Sequence, residues 1–185
     1  MPHRVPYAVG MLFFKTKRSW ILDTMARQKE RQNVQPSVSD REIESMRRQA
    51  KAQLPARLAA LAKRHGFTYN KVTIKHNATN WGSCSNKGNI NLNLNIVRLP
   101  QILQDYVLLH ELCHLRHHDH GHAFHLLLEH VLTDNLMEAL IQSGKSHSDA
   151  DIAVAKEIAR KAAASRARYP LHYVMHNAIK SYRLL

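Results

Sequence analysis

An α+β fold, with a strand region between helical flanks at both ends, is predicted by three features of the 185-residue chain. Up to Gly66 the apolar residues recur at helical spacing. From Val72 to Ile96 they alternate with polar ones at the period of a strand. From Pro100 onward the helical period returns. The length suffices for one compact domain plus an appendage. The division expected is a domain over residues 1–145, mostly helical to 66 and carrying sheet and site helices over 67–145, with a basic helical extension over 146–185.

The elements follow in order. Val5 to Phe14 is apolar enough for the core of a signal peptide. However, Lys15, Lys17 and Arg18 follow at once and no small-x-small cleavage site appears, so the stretch is expected to be buried structure. Trp20, Ile21, Leu22 and Met25 read as helical. The pattern runs out in the polar stretch Arg27 to Asn33, and Pro36 breaks it. Ser39 followed by Glu42 fits a capping box opening a helix to about Leu54. A second helix is expected from Pro55, with Leu58, Leu61 and Ala62 on one side, ending at Gly66. Val72, Ile74 and His76 read as a strand, and Asn86-Lys87-Gly88 as a hairpin turn. Ile90, Leu92, Leu94 and Ile96 alternate with Asn89, Asn91, Asn93 and Asn95, which gives one strand with a buried and a polar face. Pro100 starts a helix to about His117, and another runs from Ala123 to about Leu140. Ser143 to Ser146 reads as a linker. A helix over Asp149 to Ala167 and an aromatic-basic piece after Pro170 close the chain.

The net charge of +13 is uneven. Residues 1–66 hold 14 Lys/Arg against 5 Asp/Glu, residues 67–145 hold 6 of each, and residues 146–185 hold 7 against 3. The basic excess lies in the flanks, where it coats helix faces. Nucleic acid is thus a possible but not a favoured partner, and aromatic residues are not interleaved as a base-stacking platform requires. No apolar run reaches the ~18 residues of a membrane span. Two cysteines, Cys84 and Cys113, are too few for a disulfide framework and are read as reduced and structural. The expected location is cytoplasmic.

The chemistry sits in His110-Glu111-Leu112-Cys113-His114, an H-E-x-x-H pattern within a predicted helix. Residues four apart share a helix face about 6 Å apart along the axis, so two imidazoles converge on one ion. Zinc accepts neutral imidazole nitrogen and, in catalytic sites, keeps one position for water. Glu111, one residue on, is placed to take a proton from that water as general base. A third ligand is needed. His117 and His118 on a straight helix would lie about 10 to 12 Å along the axis from His110, out of reach. The chain has to turn back, most readily at Asp119-His120-Gly121, which leaves His120, His122, His125 and Glu129, with a lean to His120. The surplus histidines His117, His118 and His122 are expected to be surface or loop residues. Cys113 is expected to point away from the ion. Trp81 and Ser83 are candidates to line a cleft, Trp81 more readily as core.

Two blocks make a larger pattern: Trp81-Gly82-Ser83-Cys84-Ser85 followed by Gly88 to Asn93, then Asp105-Tyr106-Val107-Leu108-Leu109 leading into His110 to His114, His120 and Phe124. In these blocks and their order the sequence resembles the YgjP-like zinc metallopeptidases, over roughly residues 4 to 130. The resemblance implies a zincin-like fold, in which a small twisted sheet packs on the helix that bears H-E-x-x-H. It also implies His120 as third ligand, one catalytic zinc ion and a peptide or protein substrate. This chain departs from the family at Asn80, where many members have Arg, and at His125, where an aromatic is common. A substrate strand is expected to pair with Gly88 to Ile96 as the sheet edge beside the metal helix. The alternative function is a nucleotide pyrophosphohydrolase using the same residues, although no Gly-rich phosphate loop follows a strand. A further one is a peptidase or adaptor localised to nucleic acid by the C-terminal helices.

Overall fold

The computed structural model describes residues 7–33, 38–141 and 148–185. The chain divides into two units, Met1–Ser39 and Asp40–Leu185. The first holds helix α1 (Tyr7–Asn33), which continues through the polar stretch where the pattern was expected to run out. Val9, Met11 and Phe13 are 54%, 40% and 64% exposed, so the expectation of buried structure over Val5 to Phe14 is corrected where side chains are described. Among the described residues of this unit α1 stands alone, with no second layer to cover an apolar face. Val5, Pro6 and Pro36 lie outside the described residues, as does the expected linker at Ser143 to Ser146.

The second unit is mixed α+β. Helix α2 (Asp40–His65) is continuous, whereas the sequence suggested two helices meeting at Pro55. A proline inside a helix removes one hydrogen bond and costs ~3 kcal/mol. The stripe Ala50, Leu54, Leu58, Leu61 and Ala62 is buried along the whole length, and its burial outweighs that cost. Gly66, at φ +67°, ends the helix. Strands β1 (Lys71–Lys75), β2 (Gly82–Cys84) and β3 (Asn89–Asn93) form a sheet in the order β1-β3-β2. β1 runs parallel to β3, with Ile74 beside Leu92; β2 runs antiparallel, with Ser83 beside Asn91. Gly88, at φ +71°, makes the expected turn between β2 and β3.

The expected long strand is shorter than its alternation suggested. It stops at Asn93, and a 3-10 turn covers Leu94–Arg98. Asn93 and Asn95 are buried rather than solvent-facing. Asn93 donates to the carbonyls of Asn77 (2.7 Å) and Asn80 (2.9 Å), and its carbonyl accepts from the Asn95 backbone N–H (3.0 Å). A buried amide so fully engaged costs little, and it clamps the loop that delivers Trp81 and Gly82. β3 is therefore the central strand, and the edge strand packed on the helix of the H-E-x-x-H motif is β2.

Helix α3 (Gln101–Cys113) is apolar nearly all round, with Ile102, Leu103, Val107, Leu108, Leu109 and Leu112 buried. It is the central helix, covered by α2, by β2, and by α4 (His122–Ile141), α5 (Asp149–Ala164) and α6 (Pro170–Ile179). Residues 148–185 thus pack on the helix of the motif. An Asp151 oxygen in α5 accepts the Gln101 N–H at the start of α3 (2.9 Å). None of the described helices is long and apolar enough to cross a membrane.

Candidate metal centre

Helix α3 ends at Cys113, four residues before the expected His117, and His114 is its C-cap. This early end lets the chain turn within reach of the motif. Asp119 accepts the Gly121 N–H (3.2 Å), tightening the turn around His120. His120 returns to His110, with Nε2 atoms 3.1 Å apart, and His110 and His114 stand at 3.2 Å. Each offers one ligand atom and all three lie within 4.8 Å of one another. Phe124, fully buried, is the common floor: its ring stacks on His114 at 4.5 Å and meets His110 and His120 edge-on at 5.0 and 4.8 Å. The His117 carbonyl lies 3.0 Å from His114 Nδ1. A proton held there leaves the Nε2 lone pair free for an ion.

The donor set fits zinc. Nitrogens about 2.0–2.1 Å from an ion and 3.1–3.2 Å apart subtend about 100° at it, near the tetrahedral angle. Two of the rings, His110 and His114, are also held toward the neutral form. Burial, then the charges of His114, His120, His172 and His176, pushes His110 down to about 3, and burial lowers His114 as well. Neutral imidazoles this close repel through their lone pairs unless a cation or proton lies between them.

Glu111 is 5% exposed and one of its oxygens is buried without a hydrogen-bond partner. Burial pushes its carboxyl up to about 8. It faces β2: a Cβ built on Gly82 would lie 2.6, 2.7 and 2.8 Å from its Oε1, Cγ and Cδ. His110, Glu111, His114, His118 and His120 share a cleft of about 300 Å³ with Gly82, Ser83, Cys84 and Asn86. Ser83 accepts from Asn91 (3.1 Å). The Cys84 thiol is pushed up by burial and by Glu111. Trp81 packs against the core and Cys113 is fully buried, its thiol pushed up to about 12 by burial.

Glu111 makes stability depend on pH in the metal-free protein. Below the ordinary carboxyl pKa both states are protonated. Above it the unfolded chain ionises while the folded carboxyl stays protonated until about pH 8, so stability falls across that window. Metal-free Glu111→Gln is accordingly expected to exceed metal-free wild type by roughly 4 kcal/mol at pH 8 and nearly to match it near pH 4. Urea unfolding of both proteins at the two pH values measures this, and equal stabilities at pH 8 would refute it.

The other candidates are placed elsewhere. Glu129 accepts the backbone N–H groups of Leu171 (2.8 Å) and His172 (3.0 Å), capping α6. His122 hydrogen-bonds the Tyr169 hydroxyl. His125 stacks on Tyr169 at 5.2 Å and lies 4.7 Å from His172. His118, expected to be a bystander, lines the cleft, and His117 acts through its carbonyl. Nothing in the aromatic-basic piece after Pro170 marked α6 as a neighbour of the site, yet its His172 and His176 lie 3.2 and 3.5 Å from the Tyr106 hydroxyl.

Comparison with known proteins matches the site's own segment. Neither the curated proteins nor the solved structures returned a match. The family model of the YgjP-like metallopeptidase domain matches residues 35–139. That span includes β2, Glu111 and all three converging histidines, and it covers more than half of the chain, so the chain belongs to the YgjP-like family.

Proposed function

We propose that the chain is a zinc-dependent metallopeptidase in which His110, His114 and His120 hold the ion and Glu111 is the general base. The observation that carries this is a buried carboxyl group, one oxygen of it without a hydrogen-bond partner, beside three converging imidazoles in one cleft. Zinc bound there would supply a Lewis acid that polarises a carbonyl and brings water's pKa toward neutrality.

Glu111, its carboxyl adjusted by burial, takes the proton of the attacking water and returns it to the leaving amine. Gly82 gives that carboxylate its room. The outer edge of β2 offers backbone groups to an extended peptide, which would lie along Gly82, Ser83 and Cys84 in the cleft. None of the described residues lining the cleft is Lys or Arg. A phosphoanhydride substrate would call for such cations, which favours the peptide bond over the triphosphate alternative. The free thiols Cys84 and Cys113 suit a reducing, cytoplasmic setting.

The test uses the full chain, purified without a metal-affinity column. It is expected to hold about one zinc per chain. It should cleave members of a panel of peptides and unfolded proteins, lose activity to a chelator and regain it with zinc. His114→Ala should lose both metal and activity. Diphosphate release from nucleoside triphosphates, with every peptide intact, would move the site to the pyrophosphohydrolase class. Full zinc occupancy in His114→Ala would sink the ligand assignment.

A further inference from the structure

Residues 148–185 lie outside the segment matched to the family, yet α6 brings two imidazoles to the metal helix. Two chains of ring contacts lead from the triad to His172. One passes from His110 to Tyr106 (6.1 Å) and on to His172 (6.0 Å). The other passes from His120 to His125 (6.3 Å) and on to His172 (4.7 Å). His176 follows one turn along α6, 5.5 Å from His172.

Tyr106 decides how these rings present themselves. Its hydroxyl is 3.2 Å from His172 Nδ1 and 3.5 Å from His176 Nδ1, and the residue is 4% exposed. A phenol has one proton to donate. Donated across the shorter contact, it fixes His172 with its hydrogen on Nε2. The half-buried His172 ring then presents a neutral N–H donor. The N-terminus of α6 is not available for the same purpose, because Glu129 already takes the N–H groups of Leu171 and His172.

We propose that His172, oriented by Tyr106 and flanked by His125 and His176, is an oxyanion subsite: a hydrogen-bond donor to the anionic oxygen of a ligand held at the triad. The inference rests on the metallopeptidase reading, in which that oxygen is the carbonyl oxygen of the scissile bond as it gains charge. Tyr106 is then a positioning residue. α5 and α6 become a wall of the active site rather than a nucleic-acid arm.

The experiment needs no substrate. The full chain is loaded with cobalt(II), whose visible absorption reports its ligands, and titrated with acetohydroxamate, an anionic mimic of the reacting carbonyl. Wild type is expected to bind with a change in the cobalt spectrum. His172→Ala, still holding one cobalt per chain, should bind roughly 10- to 100-fold more weakly, the loss of one hydrogen bond to a charged group. His172→Gln, which keeps an N–H donor, should recover part of the affinity. Tyr106→Phe should weaken binding several-fold without touching the ion. Once a peptide substrate is in hand, His172→Ala should lower kcat more than it raises KM.

Wild-type affinity in His172→Ala would overturn the inference and leave the metallopeptidase reading standing. Loss of cobalt from that variant would overturn it too, by making α6 a support of the triad. Failure of wild type to take up cobalt would bring down the metal reading and this inference together.

Discussion

Gly82→Ala is expected to lower peptide hydrolysis at least a hundredfold while zinc stays bound. The added methyl would sit 2.6–2.8 Å from Glu111, and the atoms it meets include Cγ and Cδ as well as the terminal oxygen. A flexible tip could swing aside; a buried side chain met along its length has to move as a whole. A displacement of about 1 Å in a catalytic group costs on the order of 100-fold in rate, and general-base catalysis itself contributes about 100- to 10,000-fold. The ligands are not among the nearest atoms a Gly82 Cβ would meet, so metal content should not change. Gly82 has no positive φ, so space alone is at stake. Overpacking is further expected to destabilise the fold by about 1–3 kcal/mol. A double-mutant cycle isolates the cause: in a Glu111→Ala background, Gly82→Ala should cost little stability. Equal costs in both backgrounds, or wild-type turnover in Gly82→Ala with zinc bound, would refute the close approach as the reason for this glycine.

The pairing of Gly82 with Glu111 shows where the sequence stops being informative. The convergence of His110 and His114 was readable because helical spacing fixes what four residues' separation places together. His120 was readable less surely, since its return depends on a turn, and the turn is possible only because α3 ends at Cys113. Nothing local marks that end. Local pattern also misread Pro55, because the buried stripe that carries α2 across it is a tertiary fact. The asparagine-rich strand misled for a related reason. Polar residues at alternate positions look solvent-facing unless a loop folds over them, as residues 77–80 do over Asn93. The histidines of α6 carried no signal, because they lie more than fifty residues from the motif and reach it only through helix packing.

Asp105→Ala is expected to destabilise the protein by about 3–5 kcal/mol, lowering its thermal midpoint by roughly 10 °C, because this residue joins three helices at one point. Its carboxylate is 1% exposed and accepts both forks of Arg57 from α2, at 2.8 and 2.6 Å. It also accepts from Gln101 within α3 (3.2 Å) and from the buried Asn135 of α4 (3.1 Å). The paired carboxylate raises the Arg57 guanidinium still further above neutrality, first through their hydrogen bond and then through charge. Removing the carboxylate strands a guanidinium and a buried amide together, and the unpaired partners, more than the lost attraction, set the cost. Replacing both members by apolar residues, as in Arg57→Met with Asp105→Leu, should therefore cost less than Asp105→Ala alone. The order of the thermal midpoints of the three proteins decides the matter. If the double variant proves the least stable, the pair's attraction itself holds α2 to α3, and burial of Leu54 and Leu58 along that contact is not enough to do so. The site stands on this junction: Asp105 lies five residues before His110 on the same helix, and Asn135 belongs to the helix that carries Phe124 beneath the triad.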